Sequence, residues 1–460
     1  MKKKHNYIIV LILIIAFSGS VSAQKVLTIE ECRTQAIDFN KQLKKANFQK
    51  QEAEAQQKAA RTAYLPAIGA DINLMQLIDM EGISTSGNFL PTAESAEAAE
   101  RGEFTGLSDV WMPGMSLELG NMSVIYGGLT LSQPIYAGGK IVAANNMADA
   151  GLEMAGMAYN LKYSEIIELT DKAFWNVAMV TANIELAEKY IEMLVETEDM
   201  MIAMYEVGLQ PASEKLKVSV QKNEAELRLM MAKNGLRIAK MNLNQVLGFD
   251  LKTVINISYD SVSNIRLIDL TNGTTMAEAN RNELKLLEKK VELATLDRKM
   301  IAGDYLPQLG VGIQYTSAYA KDYKEKIQFS PIVAAQLTIP IFQWGQGQKK
   351  KKAAYYKIKQ NEMELSRSTD LVNLEVNNTE VRVEEAYEAI IIARKNIGAA
   401  EESLDETKSS FEVGLNSTTD LLNAQAQWLN AKVQEIQAVA RYKVLETTWK
   451  RVTGRLVPGE

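Results

Sequence analysis

The hexapeptide LSQPIY at residues 131–136 has a counterpart, LTIPIF, at residues 337–342, and the two prolines are 206 residues apart. The tripeptide YLP at residues 64–66 recurs at 305–307, where the spacing is 241 residues. The difference of 35 residues between these spacings lies between YLP and the hexapeptide. The chain is therefore a tandem repeat with a longer insertion in its first copy. Further matches occur at the spacing of 206: Val-Gly-Leu at 207–209 with 413–415, and Gly248 with Gly454.

Strands are predicted where apolar residues alternate with polar or small ones, twice in each copy. In the first copy the pattern spans 67–77 and 123–135, and in the second it spans 308–319 and 331–342. Each strand has roughly ten residues, the length that crosses a bilayer at a tilt. The residues from about 80 to about 120 show no period and are rich in Gly, Ser and Pro, so we interpret them as a long loop.

Helices fill most of the remaining chain. Two proline-free segments at 140–206 and 348–412 exceed 60 residues each, and such lengths favour coiled-coil packing. Thr28 and Glu31 have the spacing of a capping box. The shorter helices are predicted at 28–64, 213–247, 277–304 and 419–452. The predicted fold is mainly α, a tandem repeat of a long-helix antiparallel coiled coil plus a β-hairpin.

The predicted organisation has five parts. Three lysines, an apolar run and the small residues before position 24 predict a signal peptide over 1–23, with a signal anchor as the alternative. The first structural repeat then spans 24–248, an equatorial linker 249–275, the second repeat 276–454 and a short tail 455–460. Removal of the signal takes away three lysines and no acid, so the formal net charge changes from −6 to −9.

The residue census argues against most enzyme classes. The single histidine, His5, lies in the predicted signal, and Cys32 is the single cysteine. One mature chain therefore cannot build the usual zinc sites, a Ser-His or Cys-His nucleophile pair, or a disulfide. The acidic balance does not suggest nucleic-acid binding. We predict a protein that is not an enzyme and has no catalytic residue, metal or cofactor, with Cys32 a small buried apolar residue.

Four membrane-crossing strands cannot close into a barrel by themselves, and an open sheet edge cannot lie in lipid. Three chains would supply twelve strands, an even number within the usual range of barrels. A soluble four-stranded sheet is the alternative, and it would need a covering layer over its apolar face.

Together these features resemble the TolC family of outer-membrane efflux proteins. The resemblance covers essentially the whole mature chain and rests on the tandem repeat, the YLP tripeptides, the two hexapeptides and the Val-Gly-Leu turns, in this order and at these spacings. It implies a homotrimer in the cell outer membrane, in which a 12-strand β-barrel in contact with outer-membrane lipid continues into an α-helical periplasmic tunnel. It also implies that an inner-membrane transporter and a periplasmic adaptor protein dock at the far end. The implied function is the exit duct of a tripartite efflux pump or of a type I secretion system.

The resemblance places the two Val-Gly-Leu turns at the tips that dock the adaptor. A plain helix hairpin would require the same glycines, since such turns need a positive φ. The residues of these tips are Val207, Gly208, Leu209, Val413, Gly414 and Leu415.

The resemblance also places Asp420 and Asn423 at the periplasmic aperture of the tunnel. Their counterparts in the first copy, at the spacing of 206, are Glu214 and Lys217. Three copies of Asp420 around a threefold axis would favour cations. Alternatively, Asp420 is an acid in the first turn of its helix, where the helix dipole alone favours it.

Two further clusters have open interpretations. Lys349 to Lys352 follow the last predicted strand, near Phe342 and Trp344, and form either a solvated helix start or an anchor to lipid headgroups. Eleven of the twenty methionines lie between Met147 and Met241. They fill irregular helix packing in one interpretation and carry a soft metal ion in the other.

Two hypotheses lie outside this family. One is an exported structural coiled coil, such as an envelope spacer or a trimeric surface fibre, which has no need of four strands placed symmetrically between helices. The other is an enzyme that uses carboxylates alone, and no pair of acids in a glycine-rich or strand-end setting supports it.

Overall fold

The computed structural model describes residues 26–78, 83–93, 96–103, 105–117, 122–259, 265–320, 325–328 and 330–458. The predicted signal peptide lies outside these residues. A single turn of 3-10 helix occupies Thr62–Tyr64. The α-helices, in chain order, are α1 Ile29–Phe39, α2 Lys41–Arg61, α3 Ala96–Glu100, α4 Lys140–Glu206, α5 Ala212–Leu247, α6 Gly273–Asn280, α7 Asn282–Gly303, α8 Gln346–Glu412 and α9 Thr418–Val452.

The strands complete the tandem pattern between these helices. In chain order they are β1 Val26–Leu27, β2 Ala67–Leu77, β3 Ile83–Thr85, β4 Asn88–Thr92, β5 Gly106–Met112, β6 Met115–Leu117, β7 Met122–Ala137, β8 Asn256–Ile257, β9 Gln308–Ala320, β10 Glu325–Gln328 and β11 Ile332–Thr338. The mainly helical fold with a strand pair in each copy is confirmed.

The two long helices, α4 and α8, both have 67 residues and begin 206 residues apart. Each follows a two-residue turn with left-handed backbone. The first turn is Gly138-Gly139, with φ of 64° and 78°, and the second is Trp344-Gly345, with φ of 49° and 73°. A tryptophan at positive φ is uncommon. The second copy therefore keeps the turn of the first even though its residue is unfavourable there.

The helices predicted at 28–64 and 277–304 are each broken by one residue, so the prediction of continuous helices was wrong. Asn40 separates α1 from α2 with φ −62° and ψ 125°, and Arg281 separates α6 from α7 with φ −63° and ψ 121°. The two breaks are 241 residues apart, the spacing of the YLP tripeptides. The side-chain oxygen of Asn40 accepts the N–H groups of Gln42 at 2.8 Å and Leu43 at 3.3 Å, which caps the new helix.

The C-terminal ends of α5 and α9 pack against these two breaks. Gly248 ends α5 at φ 76°, and a Cβ there would lie 2.7 Å from the carbonyl oxygen of Phe39. Gly454 follows α9 at φ 73°, and a Cβ there would lie 2.7 Å from the Cβ of Asn280. Both glycines therefore permit the same close approach, in addition to their left-handed conformation. The amide of Asn40 fixes the first approach by donating to the carbonyl of Val246 at 2.8 Å.

The chain divides into two compact units, and the helical unit comprises the described parts of 1–57, 148–295 and 356–460. Its first-copy core includes Cys32, which is fully buried as predicted. The segment between the two repeats contains β8, which pairs in parallel with β1. This segment also contacts α9, because the hydroxyl of Tyr442 donates to the carbonyl of Arg266 at 2.6 Å. The largest second-copy core comprises Ala277, Leu284, Val372, Val376, Val383, Ala386, Ile390, Val439, Tyr442, Leu445, Trp449 and Val452.

The strand unit comprises the described parts of 58–147 and 296–355. Its main sheet is antiparallel in the order β2–β7–β9–β11, with β10 paired to the far end of β9. The predicted strand 331–342 ends earlier, at Thr338, two residues before Pro340, which has no N–H for a ladder. Its counterpart β7 instead continues past Pro134 through an irregular register.

The interpretation of 80–120 as an irregular loop was wrong for the residues that the structure describes. Strand β4 pairs with β5, and β3 pairs with β6, both antiparallel, and α3 lies between β4 and β5 in the chain. These strands have three to seven residues, and the register of β4 with β5 shifts next to Pro91. Such short, shifted strands leave no alternation long enough to be recognised.

The main sheet leaves its apolar side chains uncovered within one chain. Ile68, Ile72 and Leu74 on β2 are 79%, 84% and 76% exposed, and every residue of β11 is exposed. Strands β2 and β11 form its outer edges. A single chain therefore buries neither the apolar face nor the edges of its sheet. Separately, none of the helices in the described part of the chain combines the length and the apolarity needed to cross a bilayer.

An ion-pair network in the helical unit joins the two copies. Glu168 on α4 accepts from the hydroxyl of Thr448 at 2.7 Å and forms ion pairs with Lys172 at 2.8 Å and with Arg451 at 2.6 Å. Arg451 on α9 also contacts Glu375 on α8 at 2.8 Å. The carboxylate of Glu375 also contacts Nη1 of Arg281, the residue that separates α6 from α7, at 2.5 Å. One chain of alternating charges thus runs through helices of both repeats.

This network should make the fold sensitive to acid. Burial by itself raises the pKa of Glu168 and of Glu375, but hydrogen bonds and the nearby cations outweigh it and hold both pKa values below the ordinary range. A carboxylate with a lowered pKa stabilises the folded state above the unfolded pKa of about 4.3, and this stabilisation is lost as the pH falls toward the folded pKa. We expect the melting temperature to be flat near neutral pH and to fall below about pH 4.5.

The measurement is a series of thermal melts from pH 7 to pH 3. Glu375→Gln serves as the test variant, because it removes one of the two titrating groups and keeps the shape of the side chain. Its melting temperature should depend less steeply on pH over the acid range. An acid dependence identical to that of the unmodified chain would contradict the assignment of this effect to the network.

Candidate functional site: the helix tips and the aperture residues

The two Val-Gly-Leu turns have the same backbone geometry. Gly208 has φ 77° and Gly414 has φ 80°. In the first turn the N–H of Leu209 donates to the carbonyl of Met204 at 2.8 Å, and the N–H of Gly208 donates to that of Tyr205 at 3.0 Å. The second turn repeats this pair of bonds, from residues 415 and 414 to residues 410 and 411, at 2.9 and 3.0 Å. Both are Schellman caps, in which glycine takes the left-handed position.

The turns present apolar side chains to the outside. Val207 and Leu209 are 71% and 73% exposed, and Val413 and Leu415 are 72% and 80% exposed. The glycines themselves have open space where a Cβ would stand. A turn that served only to reverse the chain would not need two large apolar residues beside its glycine, so these side chains are available to a partner.

The two tips are held together by a core of their own. Met201, Val218, Phe411 and Leu421 are at most 2% exposed and come from all four helices of this end. The sulfur of Met201 accepts from the hydroxyl of Thr418 at 3.6 Å. Partly buried Met193, Met200 and Met204 pack against this cluster. These methionines fill irregular helix packing, the first of the two interpretations that their clustering allows.

Asp420 lies in the first turn of α9 and closes a capping box there. Its carboxylate accepts from the N–H of Ser417 at 3.0 Å and from the hydroxyl of Ser417 at 2.6 Å, while the hydroxyl accepts from the N–H of Asp420 at 3.2 Å. These bonds lower the pKa of Asp420, so it is charged at neutral pH. No described cation pairs with it, and the side chain is exposed. The capping role and a role facing the lumen are compatible, because the cap uses one carboxylate oxygen.

The first-copy counterpart is electrically different. Glu214 also occupies the first turn of its helix, but the N-cap residue of that helix, Pro211, offers no side-chain cap. Lys217 contacts Glu214 at 2.6 Å, and this contact lowers the pKa of Glu214. Asn423 is exposed and neutral. Of the four candidate aperture residues, Asp420 is therefore the one whose negative charge is not balanced by a described neighbour.

The described residues contain no group of three or more His, Cys, Asp or Glu side chains placed to hold a metal ion. The sequence reasoning missed the helix breaks and the ion-pair network attached to them. A signal for the breaks was present: the spacing of 241 residues aligns Asn40 with Arg281, two polar residues in the middle of otherwise helical patterns.

The fold is that of solved outer-membrane channels. The Campylobacter jejuni CmeC outer membrane channel superposes with a TM-score of 0.73 at 18% identity, covering 93% of this chain and 86% of that one. The open state of the Neisseria gonorrhoeae MtrE outer membrane channel gives a TM-score of 0.69 at 14% identity, with coverage of 93% and 89%. At these identities the likeness concerns the fold alone.

Curated relatives agree with this class. The outer membrane protein TolC of Escherichia coli (strain K12) is 20% identical over 352 residues, which cover 73% of this chain and 70% of TolC. The outer membrane efflux protein BepC of Brucella suis biovar 1 (strain 1330) is 22% identical over 341 residues, which cover 72% and 73%.

The outer membrane efflux protein family matches residues 33–249 and 274–455, and the chain belongs to this family. The resemblance drawn from the repeats is thereby confirmed. The protein is an outer-membrane efflux channel, located in the cell outer membrane and extending into the periplasm, and it forms the exit duct of a tripartite pump. The family is one of channels rather than of enzymes.

Proposed function

We propose that three copies of this chain form the duct, each contributing four strands to one barrel and its long helices to one tunnel. The observation that carries the proposal is the uncovered sheet of the strand unit. Its apolar side chains and both of its edges require lipid and neighbouring strands, and a closed barrel supplies both. Three copies of the four-stranded sheet would give twelve strands, within the range of known barrels.

The tips at Val207–Leu209 and Val413–Leu415 then receive a periplasmic adaptor protein, which connects the duct to an inner-membrane transporter. Their exposed Val and Leu side chains support this assignment, because apolar side chains presented on rigid turns suit an interface that buries them. The duct makes no covalent change in its cargo and needs neither a catalytic residue nor a cofactor.

The aperture carries a ring of three Asp420 carboxylates, one per copy. The support is electrostatic: Asp420 is charged and unbalanced, whereas Glu214 is paired with Lys217. A ring of carboxylates at a constriction concentrates cations and repels anions. Asn423 and the pair Glu214–Lys217 line the same end as neutral or balanced groups.

The test is a single-channel recording of the purified duct in planar bilayers with a gradient of potassium chloride. We expect Asp420→Asn to lower the ratio of cation to anion permeability by roughly twofold or more, because it removes three charges from the constriction. The amide still accepts from Ser417, so the cap of α9 is retained.

Glu214→Gln combined with Lys217→Gln is the matched control, since the two side chains form an ion pair at the corresponding position and their joint removal leaves the net charge unchanged. It should change the permeability ratio less than Asp420→Asn does. If Asp420→Asn and the unmodified duct had the same ion selectivity, the placement of Asp420 at the aperture would be contradicted. A purified chain that conducts no ions would contradict the assembly of a duct altogether.

An exported structural coiled coil is the second hypothesis, and the same recording distinguishes it. A spacer or fibre would form no channel. The exposed strands disfavour it, because a fibre gains nothing from an apolar sheet that lacks a covering layer.

A further inference from the structure

Four consecutive lysines, Lys349 to Lys352, begin the second turn of α8 within the strand unit. Lys349, Lys350 and Lys352 are exposed, and Lys351 is half-buried. Within the described residues, no carboxylate forms an ion pair with Lys349, Lys350 or Lys351. The positive charges of Lys349, Lys350 and Lys351 therefore lie next to the end of the sheet without a balancing acid in the described part of the chain.

The fold itself does not require these lysines. The counterparts in the first copy, at the spacing of 206, are Ala143, Ala144, Asn145 and Asn146, which carry no charge. Ala143 and Asn145 are 4% and 7% exposed, so the first copy uses these positions for packing. The first turn of α8 also contains no acid, and positive charge near a helix N-terminus opposes the helix dipole. Four lysines here are thus a departure from the repeat that helix stability does not explain.

Large apolar side chains lie immediately before the lysines. Ile341, Phe342 and Trp344 are 93%, 70% and 87% exposed. The rings of Phe342 and Trp344 contact each other edge to face, with centroids 5.1 Å apart. An open groove of 750 Å³ is lined by Phe342, Trp344, Lys349 and Lys350 together with Gln343, Gln346 and Ala353. Aromatic and basic side chains thus share one groove, which we call the basic-aromatic patch.

This combination matches the chemistry of a membrane interface. Trp and other aromatic side chains prefer the headgroup level of a bilayer, with their apolar part toward the acyl chains. Lysines next to them attract anionic headgroups, and the attraction grows with the number of lysines. Zwitterionic headgroups carry no net charge, so the three lysines Lys349, Lys350 and Lys351, which no described carboxylate balances, select the anionic lipid.

We propose that the basic-aromatic patch binds an anionic phospholipid of the periplasmic leaflet. Lys349 and Lys350 pair with the headgroup phosphate, and Phe342 and Trp344 pack against the start of the acyl chains. Because the first repeat lacks the lysines, each of the three chains in a duct has one such site rather than two. The proposal rests on the location of the protein in the outer membrane and adds a lipid-specific contact to it.

The test uses the purified full chain in detergent and lipids whose acyl chains are brominated, because bromine quenches a nearby indole. The signal of Trp344 is the difference in fluorescence between the unmodified chain and Trp344→Phe. Brominated phosphatidylglycerol should quench this signal at an at least threefold lower concentration than brominated phosphatidylcholine does. Changing Lys349, Lys350, Lys351 and Lys352 to Gln should remove the preference for phosphatidylglycerol and leave quenching by phosphatidylcholine unchanged.

The matched control changes four exposed lysines of α2 to Gln, namely Lys41, Lys44, Lys45 and Lys50. This control should keep the preference for phosphatidylglycerol. If the control lost the preference, the net charge of the chain would explain it and the proposed site would be refuted. Equal quenching by the two lipids in the unmodified chain would also overturn it. If neither lipid quenched Trp344 in the assembled duct, the proposal would also be refuted, because Trp344 would then be covered by a second chain.

One further measurement tests free phosphate as the ligand of the patch, and a second separates this proposal from the proposal of the duct. Inorganic phosphate at millimolar concentration should not compete with phosphatidylglycerol, and full competition would reassign the patch to free phosphate. Single-channel conductance should be the same for the lysine variant and the unmodified chain. A conducting duct without lipid preference would refute the patch alone, whereas a chain that does not conduct would refute the duct.

Discussion

Leu209→Asp combined with Leu415→Asp is expected to abolish recovery of the adaptor with the duct while the duct itself still assembles. Both leucines are more than 70% exposed at the Schellman turns, so folding loses almost no burial. A docked adaptor would instead have to bury two carboxylates in an apolar contact. The loss of an interface hot spot costs at least about 2 kcal/mol, and each such loss is about 30-fold in affinity.

The measurement is the amount of adaptor that co-purifies with the duct from membranes of its own host after amine cross-linking. Leu209→Met with Leu415→Met is the matched control, because methionine keeps an apolar side chain of similar volume. We expect this control to retain the adaptor. Undiminished adaptor recovery with the aspartate pair would show that docking does not use the tips, whatever else the duct does.

The tips illustrate what a repeat makes predictable. The spacing of 206 residues aligned two Val-Gly-Leu turns, and the left-handed glycines follow from the need to end a helix sharply. The same spacing aligned the starts of α4 and α8, because both long helices follow a turn and a strand of fixed length. Features that depend on local chain chemistry and recur in both copies were therefore accessible from the amino-acid sequence.

Features that depend on contacts between distant residues were not. The break at Asn40 exists because its amide reaches the carbonyl of Val246, 206 residues further along, while its oxygen caps α2. Helix propensity and apolar period carry no information on such a bond. The ion-pair network was similarly hidden, since Glu168 contacts Arg451 and Glu375 contacts Arg281 between helices that are far apart in the sequence.

Asp171→Ala is expected to destabilise the helical unit by about 3 kcal/mol or more, the largest effect of any single substitution considered. Asp171 is fully buried on α4. Its carboxylate accepts from Nε of Arg33 at 2.9 Å and from Nη2 at 2.5 Å, and it also accepts from the hydroxyl of Thr447 on α9. Alanine would leave Nε and Nη2 of Arg33 and the hydroxyl of Thr447 without their acceptor, while Nη1 of Arg33 would still contact Glu30 at 2.7 Å. Such a loss costs more than the pair contributed, because the remaining groups stay desolvated.

The free energy of unfolding is to be measured by urea titration of the duct in detergent, at one fixed protein concentration because assembly contributes to stability. Glu165→Ala is the matched control on the same helix: Glu165 is 56% exposed and pairs with Lys162 three residues away. An exposed pair of this kind contributes at most about 1 kcal/mol. Asp171→Asn should lie between the two, since the amide oxygen still accepts a hydrogen bond but carries no charge. If Asp171→Ala were no less stable than Glu165→Ala, the buried contact would not be the link that holds α1 and α9 to α4.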